Sequence, residues 1–290
     1  IRRPGVCAKL RRCLYGTRDA PARWEAFLSA ELVKHGFEQG SASPCCLRHG
    51  MRDLRCVVHG DDFVFVGPDS ELNWAQKKMQ ESFLVKIVGR LGGDAADAQE
   101  IRVLNRILRW TATGITYEAD PRHAELLARD VKATGPAVKT PGAKGDRKDT
   151  REAGKEEEDA AEAFLDEMDV KRFRSGAARA NYLAMDRPDL SFATKELCRR
   201  MAAPRVQDLE ALKRVARYLA AEPRLVYNYE WQSKGSLRVY VDTDFAGCLK
   251  TRKSTSGGCA MMGSHLVKHW SSTQKVVTLS SGEAELAGIV

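Results

Sequence analysis

With 290 residues, 43% hydrophobic and 30% charged, the chain has ordinary globular composition and enough apolar material for one or two cores. Its net charge of +8 suits a polyanionic partner held through phosphate contacts and counterion release, although charge alone describes a plain basic protein equally well. No apolar run approaches the roughly 20 residues that a bilayer-spanning helix needs, so that class is excluded.

From Ala20 to His35, Trp24, Phe27, Leu28 and Leu32 recur at helical spacing, and Gly36 is a natural stop. A strand–turn–strand pattern follows: Cys56-Val57-Val58, then His59-Gly60-Asp61-Asp62, then Phe63-Val64-Phe65-Val66. Asp69 or Ser70 caps a predicted helix presenting Leu72, Ala75, Met79 and Phe83. Strands Arg106–Trp110 and Ile115–Glu118 flank Thr113-Gly114 as a second hairpin, and His123 to Val131 reads as a short helix. Between Pro136 and Asp169 Gly, Pro, Lys and Glu dominate, which predicts a solvated linker and a domain boundary.

Two periodic helices come next. The first begins near Pro188 and carries Leu190, Ala193, Leu197 and Met201, with Arg199 and Arg200 in its last turn. The second turns Val206, Leu209, Leu212, Val215 and Leu219 inward and Lys213, Arg214 and Arg217 outward. That basic outer face reads either as solvated or as a nucleic-acid contact. After Gly235 the pattern turns to strands, Leu237–Val241, Gly257–Met262 and Leu266–Trp270, and a final helix begins near Ser280 or Ser281 with Glu283 in its first turn. The chain opens on Ile1 without an initiator Met and stops at Val290 within that predicted helix, so both ends are expected to be cut.

The eight cysteines, at positions 7, 13, 45, 46, 56, 198, 248 and 259, form no Cys-x-x-Cys pair and have no His cluster beside them. Structural zinc is therefore not expected. With no signal peptide in view, the expectation is reduced, mostly buried thiols in an intracellular protein.

Adjacent acids at the tip of an apolar hairpin need a reason. Turn chemistry accounts for Asp61, because Asp commonly follows Gly in turns. Asp62 opens a strand, where Asp is disfavoured. Phosphoryl transfer through two divalent ions needs carboxylates of this kind, and hard oxygen ligands suit Mg²⁺.

The neighbouring sequence narrows the choice. Leu14-Tyr15-Gly16-Thr17-Arg18-Asp19-Ala20-Pro21-Ala22-Arg23-Trp24 resembles the segment before the catalytic hairpin of copia-type reverse transcriptases. Gly36-Phe37, the Ser-x-x-Pro-Cys stretch from Ser41 and then the Asp-Asp hairpin follow in that family's order. The resemblance carries metal-ligand roles onto Asp61 and Asp62. The family reads Tyr-Val-Asp-Asp where this chain has His59-Gly60-Asp61-Asp62, and Gln-Ala-Pro where it has Asp19-Ala20-Pro21. Asp19 thus sets a negative side chain where a nucleotide triphosphate should approach. By the same resemblance, the first catalytic Asp belongs to a strand before residue 1.

A second series is longer. The strand Leu237 to Asp242 with Thr243 and Asp244, then Arg252-Lys253-Ser254-Thr255-Ser256-Gly257-Gly258, Trp270-Ser271-Ser272-Thr273-Gln274-Lys275 and Leu279-Ser280-Ser281-Gly282-Glu283-Ala284-Glu285-Leu286 look like the copia-type ribonuclease H domain. The match makes Asp242 and Glu285 metal ligands for phosphodiester hydrolysis. Glu283 is left as a first-turn dipole partner and Asp244 as a structural acid. Arg252 and Lys253 stand either as backbone contacts for nucleic acid or as a polar loop. The family's remaining carboxylates are expected beyond Val290. Phe173–Gly176, Asn181–Leu190 and Lys213–Leu219 resemble its connecting helices.

The implied fold is α+β: residues 1–135 a partial reverse-transcriptase palm and thumb, 136–170 a charged linker, 171–230 a helical connection, and 235–290 a truncated ribonuclease H-like mixed sheet. The implied activity of the intact polyprotein is RNA-templated DNA synthesis and hybrid RNA cleavage, in a cytoplasmic particle or the nucleus. It would use Mg²⁺ or Mn²⁺, an RNA template, a DNA primer, an RNA–DNA hybrid and deoxynucleoside triphosphates. Two alternatives stay open: a degenerate remnant that binds nucleic acid without catalysis, and a viral RNA-dependent RNA polymerase, whose signature Gly60-Asp61-Asp62 also matches. With both acid sets short of ligands, the chain alone is expected to be inactive.

Overall fold

A computed structural model describes residues 13–119, 121–142, 163–233, 235–248 and 250–289. It divides into two units, the first ending at Val88 and the second starting at Gly89.

In the first unit, helix α1 (Ala20–Lys34) holds Pro21 in its opening turn, where a missing N–H costs nothing. It stops at His35, and Gly36 follows at φ 88°, the left-handed region that Gly adopts without penalty. Four antiparallel strands then form a sheet in the order β1 (Glu38–Gln39), β2 (Cys46–His49), β3 (Leu54–His59) and β4 (Asp62–Val66). Helix α2 (Asp69–Ser82) completes the unit. Alternation along β2 and β3 sends Leu47, Leu54 and Cys56 inward, where they pack with Leu28 and Leu32 of α1 and Ala75 and Met79 of α2.

The second unit holds two sheets. One has the order β5 (Glu100–Val103), β6 (Arg106–Thr111), β7 (Gly114–Ala119) and β8 (Val226–Glu230), all antiparallel. Its helical core is α3 (Arg122–Asp130), α4 (Glu167–Leu183), a 3-10 turn at Pro188–Leu190, α5 (Ser191–Cys198) and α6 (Val206–Ala221). Phe173, Ala177 and Ala180 of α4 meet Leu209, Leu212, Val215 and Leu219 of α6 in one buried cluster with Leu127 and Val131. Gly176 permits this approach, since a Cβ there would stand 2.7 Å from Leu212. The other sheet is β9 (Leu237–Asp244), β10 (Thr255–Met262) and β11 (His265–Thr273), with β10 central, and helix α7 (Ser281–Ile289) packs on it.

Buried charge joins the first of these sheets to its neighbours. Glu118, 1% exposed, accepts from Arg109 of the adjacent strand and from Arg224 before β8. Asp186 receives Arg106 and the Tyr117 hydroxyl. Arg187 pairs with Asp189, which also takes the Tyr218 hydroxyl.

Several expectations change. The α+β class holds, with three antiparallel sheets and seven α-helices among the described residues. The last sheet is antiparallel throughout its described strands rather than mixed, because β9, β10 and β11 form a meander. The chain divides between Val88 and Gly89, and β8, which follows the charged linker, pairs with β7, which precedes it. Helix α4 begins at Glu167, inside the expected linker, where the Asp166 side chain caps it by accepting from the Asp169 N–H. Residues 143–162 of that linker lie outside the described residues. The helix predicted from Pro188 ends at Cys198, leaving Arg199 and Arg200 just past its end. The expectation of mostly buried thiols fails: Cys13, Cys45 and Cys46 are exposed, only Cys56 among the described cysteines is buried, and Cys7 lies outside the described residues.

Candidate functional site

The Asp61-Asp62 hairpin is built from its turn outward. His59 pairs with Asp62, so Gly60 and Asp61 form a two-residue loop. Gly60 sits at φ 63°, the positive value that the first central position of a tight hairpin turn demands. The indole N–H of Trp24 on α1 donates to the Gly60 carbonyl at 2.8 Å. Trp24 is held in turn against Phe83, with Phe27 and Phe63 in the same ring cluster. The motif resembling the family's pre-hairpin segment therefore includes the strut that fixes the turn. Sequence reading did not see this role for Trp24.

Both acids are exposed. Phe63 and Phe65 lean on the core, so alternation sets Asp62 on the sheet's other face, beside His59 and Val64. Asp19 is paired with Arg23 at 2.8 Å. Hydrogen bonds from backbone and from Thr17, aided by Arg23, hold its carboxyl below the usual range. Its charge is partly answered locally.

In the second unit, β9 ends with Asp242, Thr243 and Asp244, and α7 carries Glu285. Ser280 and Glu283 start that helix as a capping pair. The Ser280 hydroxyl accepts from the Glu283 N–H at 3.2 Å, and the Glu283 carboxylate accepts from the Leu279 N–H at 2.7 Å. Asp244 accepts from the Thr255 N–H, a structural role. The helix seats on β9 at Gly288, where a Cβ would stand 2.5 Å from the Thr243 hydroxyl and 3.2 Å from Val241. Val241 and Thr243 thus face α7. The register along β9 is unbroken, so Asp242 lies on the opposite face of the strand. Strand and helix are brought together; Asp242 and Glu285 are not brought onto one face, and both are exposed.

Among the described residues, no group of three or more His, Cys, Asp or Glu is arranged to hold a metal ion. The oxygen donors have the right chemistry for a hard divalent cation, but the acids come as one adjacent pair and two single residues. These residues do not by themselves make a metal site. Arg252 is exposed in the loop before β10, while Ser254 is buried, accepting from the Ala246 N–H. The basic face of α6 is partly covered: Arg214 donates to Thr140, and Arg217 lies against Gly135.

One further group was not foreseen. Burial pushes the Cys248 thiol up, but hydrogen bonds from Thr251 and Arg199 outweigh it and bring it down to about 7. The guanidinium of Arg199 stands 3.3 Å from the sulfur. No sequence signal announces this contact, which joins residues 49 apart.

Over 99% of its length the chain is 30% identical to the retrovirus-related Pol polyprotein from transposon RE1 of Arabidopsis thaliana, covering 18% of that protein. It is 29% identical over 99% of its length to the RE2 polyprotein of the same plant, covering 18% of it. Against the polyprotein from transposon TNT 1-94 of Nicotiana tabacum it is 25% identical over 97% of its length, covering 20%. The chain thus spans about a fifth of the length of these relatives. No family model matches it, and no solved structure does. Relatives of one kind along nearly the whole chain agree with the order of its motifs: the chain is homologous over nearly its whole length to retrovirus-related Pol polyproteins of plant transposons, consistent with a copia-type Pol fragment.

Proposed function

We propose that, within an intact polyprotein, this segment supplies part of two phosphoryl-transfer centres. The first unit contributes Asp61 and Asp62 to RNA-templated DNA synthesis. The last sheet contributes Asp242, and the helix packed on it Glu285, to cleavage of the RNA strand of a hybrid. Mg²⁺ or Mn²⁺ is the cation class such acids serve, with RNA template, DNA primer, hybrid and deoxynucleoside triphosphates as partners. The rest of each ligand set comes from outside the described residues. A cytoplasmic particle or the nucleus is where such a polyprotein would work.

The observation that carries this reading is the hairpin. Two adjacent carboxylates stand exposed at a two-residue turn, and a tryptophan 36 residues away locks that turn to a helix. A merely solvated turn has no need of such a strut. Positioned charge is what phosphoryl transfer requires, because most of its catalysis is placement and electrostatic stabilisation.

The test is a separation of functions in the full reading frame. Asp61→Asn should abolish primer extension and spare hybrid cleavage, and Glu285→Gln should do the reverse. Extension that survives Asp61→Asn would refute the assignment of the hairpin.

A further inference from the structure

The turn that opens β2 gathers two thiols. Successive residues of an extended strand point to opposite faces, so a Cys-Cys pair inside a strand would keep its sulfurs apart. Here the pair sits on a bend instead. The Cys46 N–H donates to the Ser43 carbonyl at 2.9 Å, closing a β-turn with Pro44 in its second position and Cys45 in its third. The Ser43 hydroxyl oxygen then lies 3.3 Å from the Cys45 sulfur and 3.5 Å from the Cys46 sulfur, so both thiols gather around one atom. Both cysteines are exposed.

Neighbouring backbone pins this turn. The Gly40 N–H donates to the Cys46 carbonyl at 2.8 Å, the Gln39 side-chain amide to the Pro44 carbonyl at 2.8 Å, and the Val58 N–H to the Cys45 carbonyl at 2.9 Å. Gly40 permits the close approach, since a Cβ there would stand 2.9 Å from the Ser43 carbonyl oxygen and 3.0 Å from that of Cys46. Thiols carried on so constrained a backbone are arranged before a ligand arrives, which lowers the cost of binding it. The stretch from Ser41 that resembles the copia-type pattern ends at Cys45, and Cys46 adds the second thiol.

The donors decide what the pair can hold. Among the described residues, no third His, Cys, Asp or Glu completes a metal-holding group. Cys56 on β3 is turned to the core opposite Leu47. Burial, with the neighbouring Cys46 adding to it, pushes the Cys56 thiol up to about 12, so it stays protonated and apart. The four ligands of tetrahedral zinc and the oxygen ligands of magnesium are both lacking. Two soft sulfurs match a soft cation that is satisfied by two ligands.

We propose that Cys45 and Cys46 chelate one soft monovalent cation of the Cu⁺ class. Each thiol releases a proton as its sulfur–metal bond forms, so two protons leave, a bis-thiolate complex of charge −1 results, and no oxidation state changes. Cys46 pairs with the exposed Val57 of β3, which places the site on the solvent side of the strand leading into the Asp61-Asp62 hairpin. It uses none of the acids assigned to phosphoryl transfer.

The whole chain, fully reduced and kept free of oxygen, is titrated with Cu⁺ held by the coloured chelator bicinchoninate, whose loss of colour reads transfer to the protein. Cys45→Ser and Cys46→Ser are compared with Cys13→Ser, which removes an exposed cysteine ahead of α1. Each of the first two should weaken Cu⁺ binding about a hundredfold, the advantage of two linked ligands over one, and Cys13→Ser less than about twofold. In the unsubstituted chain one equivalent of Cu⁺ should protect Cys45 and Cys46 together from iodoacetamide and leave Cys13 and Cys248 reactive, a readout that needs no variant to fold. Equal effects of the three substitutions, or protection spread evenly over the cysteines, would overturn the site.

Discussion

At the scale of single residues, four side chains decide what the chain's local chemistry can be. Trp24 holds the Gly60 carbonyl, and Trp24→Phe would keep a ring against Phe83 while losing the hydrogen bond. A neutral hydrogen bond of this kind contributes about 1 kcal/mol. Denaturant titration should show a loss of that size, with the midpoint moved and the slope unchanged. Glu118 is different, because it is buried between two guanidiniums. Burial raises its carboxyl and the bonds from Arg224 and Arg109 more than reverse this, leaving it below the ordinary value. A carboxylate lowered in the folded state stabilises the fold above its unfolded pKa, about 4.3, and that contribution is lost as pH falls through the lowered value. Glu118→Gln should therefore cost roughly 2–3 kcal/mol at neutral pH, below the roughly 3–5 kcal/mol of a fully buried pair because Arg224 is half exposed, and the cost should shrink in acid. A pH-independent difference in unfolding free energy would contradict this. Cys248 should alkylate with a midpoint near pH 7 and Cys56, pushed up to about 12 by burial, should resist until the chain unfolds. Peptide mapping of the labelled thiols at stepped pH reads both, and Arg199→Gln should move the Cys248 midpoint upward.

Elements show where sequence reasoning reaches and where it stops. Helix α1, the hairpin and the start of α7 were legible because their signals are local: the apolar spacing and Gly36 stop of one helix, Gly60-Asp61 in a tight turn, and Ser280 with Glu283 at a helix start. The pairing of β8 with β7 was not legible, since it joins residues on either side of a long linker and leaves no periodicity behind. The face of Asp242 was half legible. Alternation fixes that Asp242 opposes Val241 and Thr243, but only the seat of Gly288 decides which side α7 covers. That seat has an energetic consequence. Gly288→Ala gains up to about 1 kcal/mol of helix propensity. It also sets a methyl 2.5 Å from the Thr243 hydroxyl, an overpacking that costs about 1–3 kcal/mol. The clash should win, and limited proteolysis should cut within 281–289 sooner than in the unsubstituted chain.

For the whole molecule, the acids are distributed rather than gathered. Asp61 and Asp62 belong to one unit, and Asp242 and Glu285 to opposite sides of a sheet and helix in the other. The chain covers about a fifth of the length of its polyprotein relatives. Asp19, answered by Arg23, need not repel a nucleotide as strongly as its bare charge implies. The account is tested most directly by incubating the isolated chain with Mg²⁺, a primed RNA template and an RNA–DNA hybrid. It predicts neither primer extension nor hybrid cleavage, because no described group of acids is complete. Measurable extension or cleavage that Asp61→Asn or Glu285→Gln then removes would show that a full metal site exists within these residues, and would contradict it.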